Sequence, residues 1–549
     1  MMLSISIGNF KAFADTQRIP IRPLTLIYGA NSSGKSSILH SLIFAHYALE
    51  TGELDVHRSN LGGDAVDLGG FRQFVHRREV SRRLEWSAEL DTAYFKGRLQ
   101  ELLAPVKKAM ITVTIGISLD DQGRPLSGAK PEIIAYELFG DNNSLLRMSR
   151  RRDGSLKLDR LEHDNPIFRE VIKAIVETST TTETFRPSDY EGLEEAISEI
   201  VPELEASVEK FLPAGINKTD FFTPDAQPSL FPVSKGRRQE DLAAAVRFFI
   251  PRTINELIRG VSSYIESELL RLQYLGPLRS YPPRHLAFSQ HHDPNWFAGG
   301  GYAWDVVRQD SKVREKVNEW LTSQNRLQTP YELTIRNLLT IDDLNRDFWD
   351  HLIDIEAQYT GIGKYEGMDY KGDLFGELVP SILDRLKDNQ EELSDIQEVI
   401  LIDRRSKTVV SHRDVGIGVS QVLPVLVGAY ASHNKIIAIE QPEIHLHPAI
   451  QADLGDVFIQ SALGENRNRF LIETHSEHLL LRIMRRMRET NAGKLPKGCL
   501  PVCPEDVMVL FVEPDGSRSI VREMPLNENG ELVKAWPGGF FEEGLREIF

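Results

Sequence analysis

The sequence has very little cysteine and no long apolar run. Cys499 and Cys503 are the two cysteines among 549 residues, so no disulfide framework is indicated and the composition suits a reducing compartment. No stretch approaches the roughly 18 consecutive apolar residues that a membrane-spanning helix needs. The first ten residues alternate between apolar and polar side chains, which is typical of a strand and not of a signal peptide. We therefore expect a cytoplasmic protein with no membrane partner.

Positive charge is also in deficit. The net charge is -16, which argues against a protein coated in nucleic acid but is compatible with local basic grooves. Arginines cluster within residues 77–83, 147–152 and 482–488. We interpret these clusters as solvated faces, and contact with a phosphate backbone is the alternative.

The clearest positive signal is a glycine-rich loop near the start of the chain. It fits the pattern G-x-x-x-x-G-K-[ST], and it stands between an apolar strand and a helix-like run, as a phosphate-binding loop must. Its glycines let several backbone N–H groups point at phosphate oxygens, and the following helix adds the positive end of its dipole. The predicted binding residues are Gly29, Ala30, Asn31, Ser32, Ser33, Gly34, Lys35, Ser36 and Ser37.

Two of these residues have distinct predicted roles. Lys35 can reach the β- and γ-phosphates, and the hydroxyl of Ser36 is a ligand for Mg²⁺. The motif therefore predicts binding of ATP or GTP, and we take ATP with Mg²⁺ as the cofactor pair. We expect Lys35 to lie on a solvent-facing loop, so that its substitution would spare the fold.

A second part of the predicted site lies far along the chain. Residues 435–440 form an apolar strand that ends in Glu440, a pattern that carries an acid to the edge of a parallel sheet beside the phosphate loop. There Glu440 can hold Mg²⁺, usually through water. Gln441 and Glu443 follow directly, and a further apolar strand at residues 470–472 leads to His475.

A glycine-rich turn at the start of an apolar helix is a second predicted anion-binding device. It contains Gly418, Ser420 and Gln421, and the helix continues over residues 422–431.

The order of these motifs resembles the ABC-type ATPase head, in the SMC and "overcoming lysogenization defect" (OLD) branch of AAA ATPases. In that family a signature loop reaches across a head-to-tail dimer and caps the γ-phosphate held by the partner chain. The resemblance implies this role for Gly418, Ser420 and Gln421. It also implies that His475 senses the γ-phosphate and that Gln73 is the glutamine that links Mg²⁺ to the inserted arm.

One position departs from the family pattern. Most members end this strand with Asp-Glu, and the Glu polarises the attacking water, whereas the matching pair here is Glu440 and Gln441. An amide orients water but takes no proton at neutral pH. Either Glu443 or Glu440 is then the base, or hydrolysis is slow. The predicted catalytic residues are Glu440, Gln441, Glu443 and His475, and the predicted metal ligands are Ser36, Glu440 and Gln73.

Three further segments resemble a bacterial subfamily that includes the PtuA ATPases of Septu and retron-linked antiphage systems. They are Gln-Pro-Glu at residues 441–443, Glu-Thr-His-Ser-Glu-His at 473–478, and Tyr-Leu-Gly-Pro-Leu-Arg at 274–279, which Arg284 follows. The resemblance implies an HNH nuclease effector of the PtuB type as partner, besides a second copy of the chain. In retron-linked members it implies a reverse transcriptase and its DNA.

The predicted fold class is α/β: an ABC-type P-loop ATPase head with a flanking antiparallel sheet and a large, mostly helical insertion. The helical pattern of residues 242–272 has no sustained heptads, which counts against the long coiled coil of SMC proteins. We assign residues 1–100 to the N-terminal part of the head, 101–164 to an antiparallel β region, 165–394 to the insertion and 395–549 to the C-terminal part of the head.

Three functions are compatible with this organisation. The leading one is a slowly hydrolysing ATPase that senses infection and controls a separate toxic nuclease. A self-contained OLD-like nuclease would need a Toprim domain after the head, of which residues 512–516 are the only trace. An SMC-like ATPase that clamps DNA during repair is the third, and the acidic balance counts against it.

Overall fold

The computed structural model describes residues 1–162 apart from 121, 123 and 127, then 165–169, 197–217 apart from 209, 238–279, 295–338 apart from 324, 325 and 327, 396–410 and 417–539. The chain divides into two compact units. The first comprises Met1–Leu278, Pro294–Gly300 and Ser432–Phe549, and the second comprises Arg279–Asp293 and Gly301–Ala431.

Within the part of the chain that the structure describes, strands outnumber helices. The strands are β1 (Met2–Gly8), β2 (Gln17–Pro20), β3 (Leu24–Gly29), β4 (Leu84–Asp91), β5 (Lys108–Ile117), β6 (Pro131–Gly140), β7 (Asn143–Arg150), β8 (Leu156–Leu161), β9 (Ala206–Val208), β10 (Pro213–Ile216), β11 (Leu272–Leu275), β12 (Tyr331–Leu338), β13 (Ile396–Asp403), β14 (Thr408–Val410), β15 (Ile436–Glu440), β16 (Arg469–Glu473), β17 (Val507–Asp515) and β18 (Arg518–Glu523). The helices are α1 (Lys35–Thr51), α2 (Phe71–Phe74), α3 (Arg98–Leu102), α4 (Arg238–Leu269), α5 (Tyr302–Gln309), α6 (Ser311–Thr322), α7 (Ile417–Ala431), α8 (Pro448–Leu463) and α9 (Glu477–Asn491).

A six-stranded sheet in the first unit carries the phosphate-binding loop. Its order is β11-β15-β16-β3-β17-β18, and every neighbouring pair is parallel except β17 and β18. All residues of β3 and β15 are buried, as expected of parallel strands covered on both faces. Because the strands run in the same direction, the residues that follow β3, β15 and β16 meet at one edge of the sheet.

The first unit also contains a seven-stranded antiparallel sheet. Its order is β2-β1-β4-β5-β6-β7-β8, and buried and partly buried residues alternate along β5 in the manner of a strand with one face on the core. The parallel P-loop sheet and the antiparallel sheet confirm the predicted fold class. The predicted domain boundaries stay predictions.

An aromatic cluster joins the loop after β1 to the helix after the phosphate loop. The ring centroid of Phe10 lies 6.1 Å from that of Phe44 on α1 and 5.6 Å from that of Phe74 on α2. The rings of Phe44 and Phe74 are 5.2 Å apart. Buried rings at these separations stabilise a core beyond the area that they bury, so the residues next to Phe10 are held firmly against α1.

The second unit, described by itself, contains the three-stranded sheet β12-β13-β14 and helices α5, α6 and α7. Helix α7 packs on α5 and α6. Residues 303–325 have a helical sequence pattern, and the structure has two helices there, α5 and α6. The break falls at Asp310, whose carboxylate accepts hydrogen bonds from the backbone N–H groups of Lys312 and Val313 and so caps α6.

Helix α4 agrees with the predicted helix over residues 242–272, although it begins at Arg238 and ends at Leu269. Residues 373–393 also have a helical sequence pattern, and they lie outside the described residues, as do Arg284 and the middle of the predicted insertion. Among the helices that the structure describes, none combines the length and the apolar character that a membrane crossing requires.

Candidate active site

The loop between β3 and α1 depends on two glycines. Gly29 and Gly34 have φ of 148° and 98°, a region that side chains with a Cβ rarely adopt. A Cβ on Gly29 would lie 2.2 Å from the carbonyl oxygen of Val512, and one on Gly34 would lie 2.6 Å from the Cβ of Ala12. Ala30, Asn31 and Ser32 are exposed, whereas Ser33 is fully buried. The loop is therefore a tight turn that leads directly into α1, and larger residues would not fit at Gly29 and Gly34.

Lys35 corrects one expectation from the sequence. It is the first residue of α1 and is 4% exposed, so it does not lie on a solvent-facing loop. Its ammonium donates to the carbonyl oxygens of Gly29 at 3.0 Å and Ala30 at 2.9 Å. An ammonium has three N–H donors, so one donor is left for a phosphate oxygen. Burial lowers the pKa of Lys35 from its usual value, and nearby carboxylates, first Glu473, oppose this effect.

Two acids end neighbouring strands beside this loop. Glu440 is the last residue of β15 and Glu473 the last of β16, and the two are directly paired in the parallel ladder. Glu473 is in turn paired with Ile27 of β3. Both carboxylates are buried. The neighbouring side chain of Ser36 partly opposes the rise in the pKa of Glu473 that this burial causes. Glu473 is not among the residues predicted from the sequence, although its strand ends in an acid just as β15 does.

The residues at this edge fit a Mg²⁺ ion. Mg²⁺ prefers oxygen ligands and is usually held by one or two carboxylates together with phosphates and waters. The hydroxyl of Ser36 and the carboxylates of Glu440 and Glu473 provide such oxygens, and Oε2 of Glu473 is buried with no hydrogen-bond partner among the described residues. Burial, and next the charge of Glu440, raise the pKa of Glu473 to about 7. A cation would offset that unfavourable burial of negative charge.

The residues after Glu440 form a tight loop. Gln441 has φ of 46°, and its backbone N–H donates to the carbonyl oxygen of Glu473 at 2.7 Å. Glu443 is buried, and its Oε1 accepts from the backbone N–H of His475 at 2.7 Å. Burial and the neighbouring Lys35 lower the pKa of His475, so its ring is neutral at pH 7. The structure thus brings Lys35, Ser36, Glu440, Glu443 and His475 to one place.

Tyr274, His40 and Lys11 also belong to this site, although the sequence does not predict them as site residues. The hydroxyl of Tyr274 donates to Oε1 of Glu440 at 2.8 Å. Nε2 of His40 lies 3.3 Å from the same oxygen, and Nδ1 of His40 lies 2.6 Å from Nζ of Lys11. These residues come from β11, α1 and the loop after β1, so no local motif joins them.

The predicted signature residues lie in the second unit, at the start of α7. Gly418 is partly exposed, whereas Ser420 and Gln421 are buried. The side chain of Gln421 donates to the carbonyl oxygen of Arg279 at 2.9 Å, and the guanidinium of Arg279 lies 3.4 Å from the carbonyl oxygen of Gln421. Gln73 is exposed on α2 in the first unit. The roles of these residues stay predictions.

The remaining candidate features have structural partners. Arg482 and Arg486 of the last basic cluster pair with Asp456 on α8, and Arg486 is buried. These two arginines are therefore structural and are not part of the solvated face that the sequence predicts. The trace of a Toprim motif forms the hairpin of β17 and β18, where Glu513 pairs with Arg522 and Asp515 with Arg518.

Comparisons with known proteins agree with this geometry. A family model for the AAA ATPase domain matches residues 1–67 and 308–480, and a model for a protein family of unknown function, DUF3696, matches residues 502–549. The AAA ATPase match contains both the phosphate loop and Glu440, and the prediction of an ATPase is confirmed at the level of this domain similarity.

Three individual proteins are similar to the chain over different extents. The DNA double-strand break repair Rad50 ATPase of Halobacterium salinarum is 36% identical over 90 residues, which are 14% of this chain and 9% of that protein. The chain therefore matches less than a tenth of that relative's length. An SMC head bound to the C-winged helix domain of ScpA has a TM-score of 0.33 at 9% identity, over 96% of this chain and 98% of that one. The SMC head domain of Thermotoga maritima has a TM-score of 0.32 at 8% identity, over 96% and 99%.

Proposed function

We propose that this chain is a dimeric ATPase that binds ATP with Mg²⁺, hydrolyses it slowly, and controls a separate HNH nuclease in antiphage defence. The observation that carries the enzymatic part is the meeting of Lys35, Ser36, Glu440 and Glu473 at one sheet edge. Lys35 would bind the β- and γ-phosphates, and Ser36, Glu440 and Glu473 would hold the metal. Bound Mg²⁺ would neutralise charge that develops on the phosphate oxygens.

Slow turnover follows from the groups that face the attacking water. Gln441 would orient this water without removing its proton. Glu443 would take the proton, and its contact with the backbone of His475 would hold it against the loop that senses the γ-phosphate. The alternative base is Glu440, in which case Glu443 only braces that loop. A slow ATPase of this kind acts as a switch, because the ATP-bound state lasts much longer than the time that ATP takes to bind.

The defence role rests on the resemblance of the motifs around Tyr274, Gln441 and Glu473 to the PtuA subfamily. In this proposal two chains close head to tail on ATP, and the closed dimer holds or releases the nuclease. The genes beside this one test the proposal. We expect an HNH nuclease, alone or with a reverse transcriptase, and the purified nuclease should bind the chain in an ATP-dependent manner. The proposal would be wrong if the neighbouring nuclease ignores the chain in both nucleotide states.

A second candidate is an ATPase that clamps DNA during repair. The 36% identity to a Rad50 repair ATPase over 90 residues favours it, whereas the net charge of -16 does not. Duplex DNA binding, measured by fluorescence anisotropy with and without Mg·ATP at two salt concentrations, separates the candidates. Tight ATP-dependent binding would favour the clamp.

A further inference from the structure

A chain of side chains links Lys11 to Glu440 through His40. Nζ of Lys11 lies 2.6 Å from Nδ1 of His40, and Nε2 of the same ring lies 3.3 Å from Oε1 of Glu440. The side chains of His40 and Glu440 are 15% and 9% exposed. Contacts this well shielded from water are stronger than the same contacts at the surface.

The chemistry of Lys11 decides where the proton on the imidazole lies. An ammonium donates hydrogen bonds and accepts none, so Nδ1 of His40 must be the acceptor and Nε2 must carry the N–H. The Nε2–H group of His40 then donates toward Oε1 of Glu440, which lies 3.3 Å away.

Tyr274 supplies a second donor to the same oxygen. Its hydroxyl lies 2.8 Å from Oε1 of Glu440, and Tyr274 is buried on β11, which pairs with β15. Two donors that approach one carboxylate oxygen from different elements fix the rotation of the carboxylate plane. Mg²⁺ demands near-ideal octahedral geometry. The carboxylate of Glu440 must therefore be oriented correctly, whether it contacts the ion directly or through a water molecule.

The backbone holds Lys11 in place. Its φ is 47°, which is unusual for a residue other than glycine. Its N–H donates to the carbonyl oxygen of Phe74 at 2.6 Å, and its carbonyl oxygen lies 2.9 Å from Nδ1 of His76. The neighbouring Phe10 belongs to the aromatic cluster on α1. A strained residue that its surroundings fix in this way points to a function.

We propose that His40 and Tyr274 are positioning residues that orient Glu440 toward the metal of bound Mg·ATP, and that Lys11 selects the tautomer of His40 that can do so. This inference rests on the role of Glu440 in the proposed function. His40 and Tyr274 would contact a metal ligand and not the metal itself. Mutation of residues that hydrogen-bond to a metal ligand typically costs about 10–100-fold in metal affinity or activity.

Calorimetry of ATP binding over a series of Mg²⁺ concentrations tests the proposal without depending on hydrolysis or on any nuclease. For His40→Leu and Tyr274→Phe we expect the Mg²⁺ concentration for half-maximal tightening of ATP binding to rise about tenfold. ATP affinity in chelator should stay at the wild-type value. His40→Gln keeps an N–H donor near the Nε2 position and should recover most of the loss. Lys11→Met should raise the Mg²⁺ concentration for half-maximal tightening as His40→Leu does, but by a smaller factor.

Two controls separate positioning from a loss of fold. His46 is a second buried histidine on α1, and Nδ1 of its ring lies 3.5 Å from Oε2 of Glu50. The control variant His46→Leu should leave the Mg²⁺ dependence unchanged. In the Glu440→Gln background, His40→Leu should cause no further change, because the group that it orients is gone.

The result that would overturn the proposal is a Mg²⁺ dependence of His40→Leu and Tyr274→Phe equal to wild type. An equal further loss in the Glu440→Gln background would also overturn it, since His40 would then act independently of Glu440. If wild-type ATP binding itself shows no Mg²⁺ dependence, the metal assignment in the proposed function is wrong, and this outcome is distinct from both.

Discussion

The backbone N–H of His475 donates a hydrogen bond of 2.7 Å to Oε1 of Glu443. This contact joins the loop after β15 to the loop after β16, the two segments expected to face the γ-phosphate. A carboxylate that takes a proton from water changes charge, and a hydrogen bond to a charged acceptor is stronger than one to a neutral acceptor. Proton transfer to Glu443 would therefore weaken its hold on the His475 loop, which couples chemistry to a local change of structure.

Glu443→Gln separates the two roles of this residue. The amide oxygen of glutamine can still accept from the N–H of His475, so the loop should stay in place and ATP should bind with wild-type affinity. The base is lost, and we expect steady-state ATP hydrolysis to fall by about a hundredfold or more. Hydrolysis at the wild-type rate would show that Glu443 is structural and that Glu440 is the base.

Gln441→Glu introduces the carboxylate that the resemblance to ABC-type ATPase heads implies for this position. Gln441 follows Glu440 directly and is held by its N–H to the carbonyl oxygen of Glu473, an interaction that the substitution leaves intact. We expect the steady-state rate to rise by about tenfold or more, because the new group can accept the proton of the attacking water. Gln441→Ala is the control for the orientation of water by the amide and should lower the rate. An unchanged rate in Gln441→Glu would mean that the water lies elsewhere.

Glu473 predicts a dependence of stability on pH in the presence of chelator. Burial first, then the charge of Glu440, raise its pKa to about 7 from 4.5. Between these two values the folded chain binds a proton that the unfolded chain does not, so this group makes stability fall as the pH rises from 4.5 through 7. The shift corresponds to roughly 3 kcal/mol.

Glu473→Gln mimics the protonated carboxyl group at every pH. Its melting temperature should equal that of wild type below about pH 4 and exceed it at pH 8.5, where wild-type Glu473 is charged beside Glu440 and Glu443. Adding Mg²⁺ and ATP should remove the advantage of the variant, because a cation stabilises the charged form. A wild-type advantage at pH 8.5 in chelator would contradict the assigned pKa direction.

Gly418 tests the predicted closure of two heads. It is partly exposed at the start of α7, next to the buried Ser420. Gly418→Asp would place a carboxylate where the γ-phosphate of the partner chain is expected, so Mg·ATP should no longer promote dimerisation in light-scattering measurements. Gly418→Ala adds a Cβ without charge and is the matched control. ATP-dependent dimers of normal size in Gly418→Asp would show that this turn is not at a dimer interface.

Much of the site was predictable because its parts follow local rules. The phosphate loop needs two glycines between a strand and a helix, and the strand of Glu440 is an apolar run that ends in an acid. Lys11, His40 and Tyr274 were not predictable, since they come from a loop, a helix and a strand that only tertiary packing brings together. Glu473 was within reach, because β16 has the same pattern as β15. The burial of Lys35 depends on the carbonyl groups that its own loop turns inward, and a motif does not show this.

The central claim is that the edge formed by β3, β15 and β16 binds and slowly hydrolyses Mg·ATP, and Lys35→Met tests it most directly. Methionine keeps much of the buried stem of Lys35 and removes its charge, so the fold should survive. Two quantities are measured, the affinity for ATP and the rate of phosphate release from ATP. The wild-type chain should bind ATP and release phosphate slowly but at a measurable rate. In Lys35→Met ATP binding should be lost, because the charged contact with the β- and γ-phosphates is gone. Equal ATP affinity and equal hydrolysis in the two proteins would contradict the account.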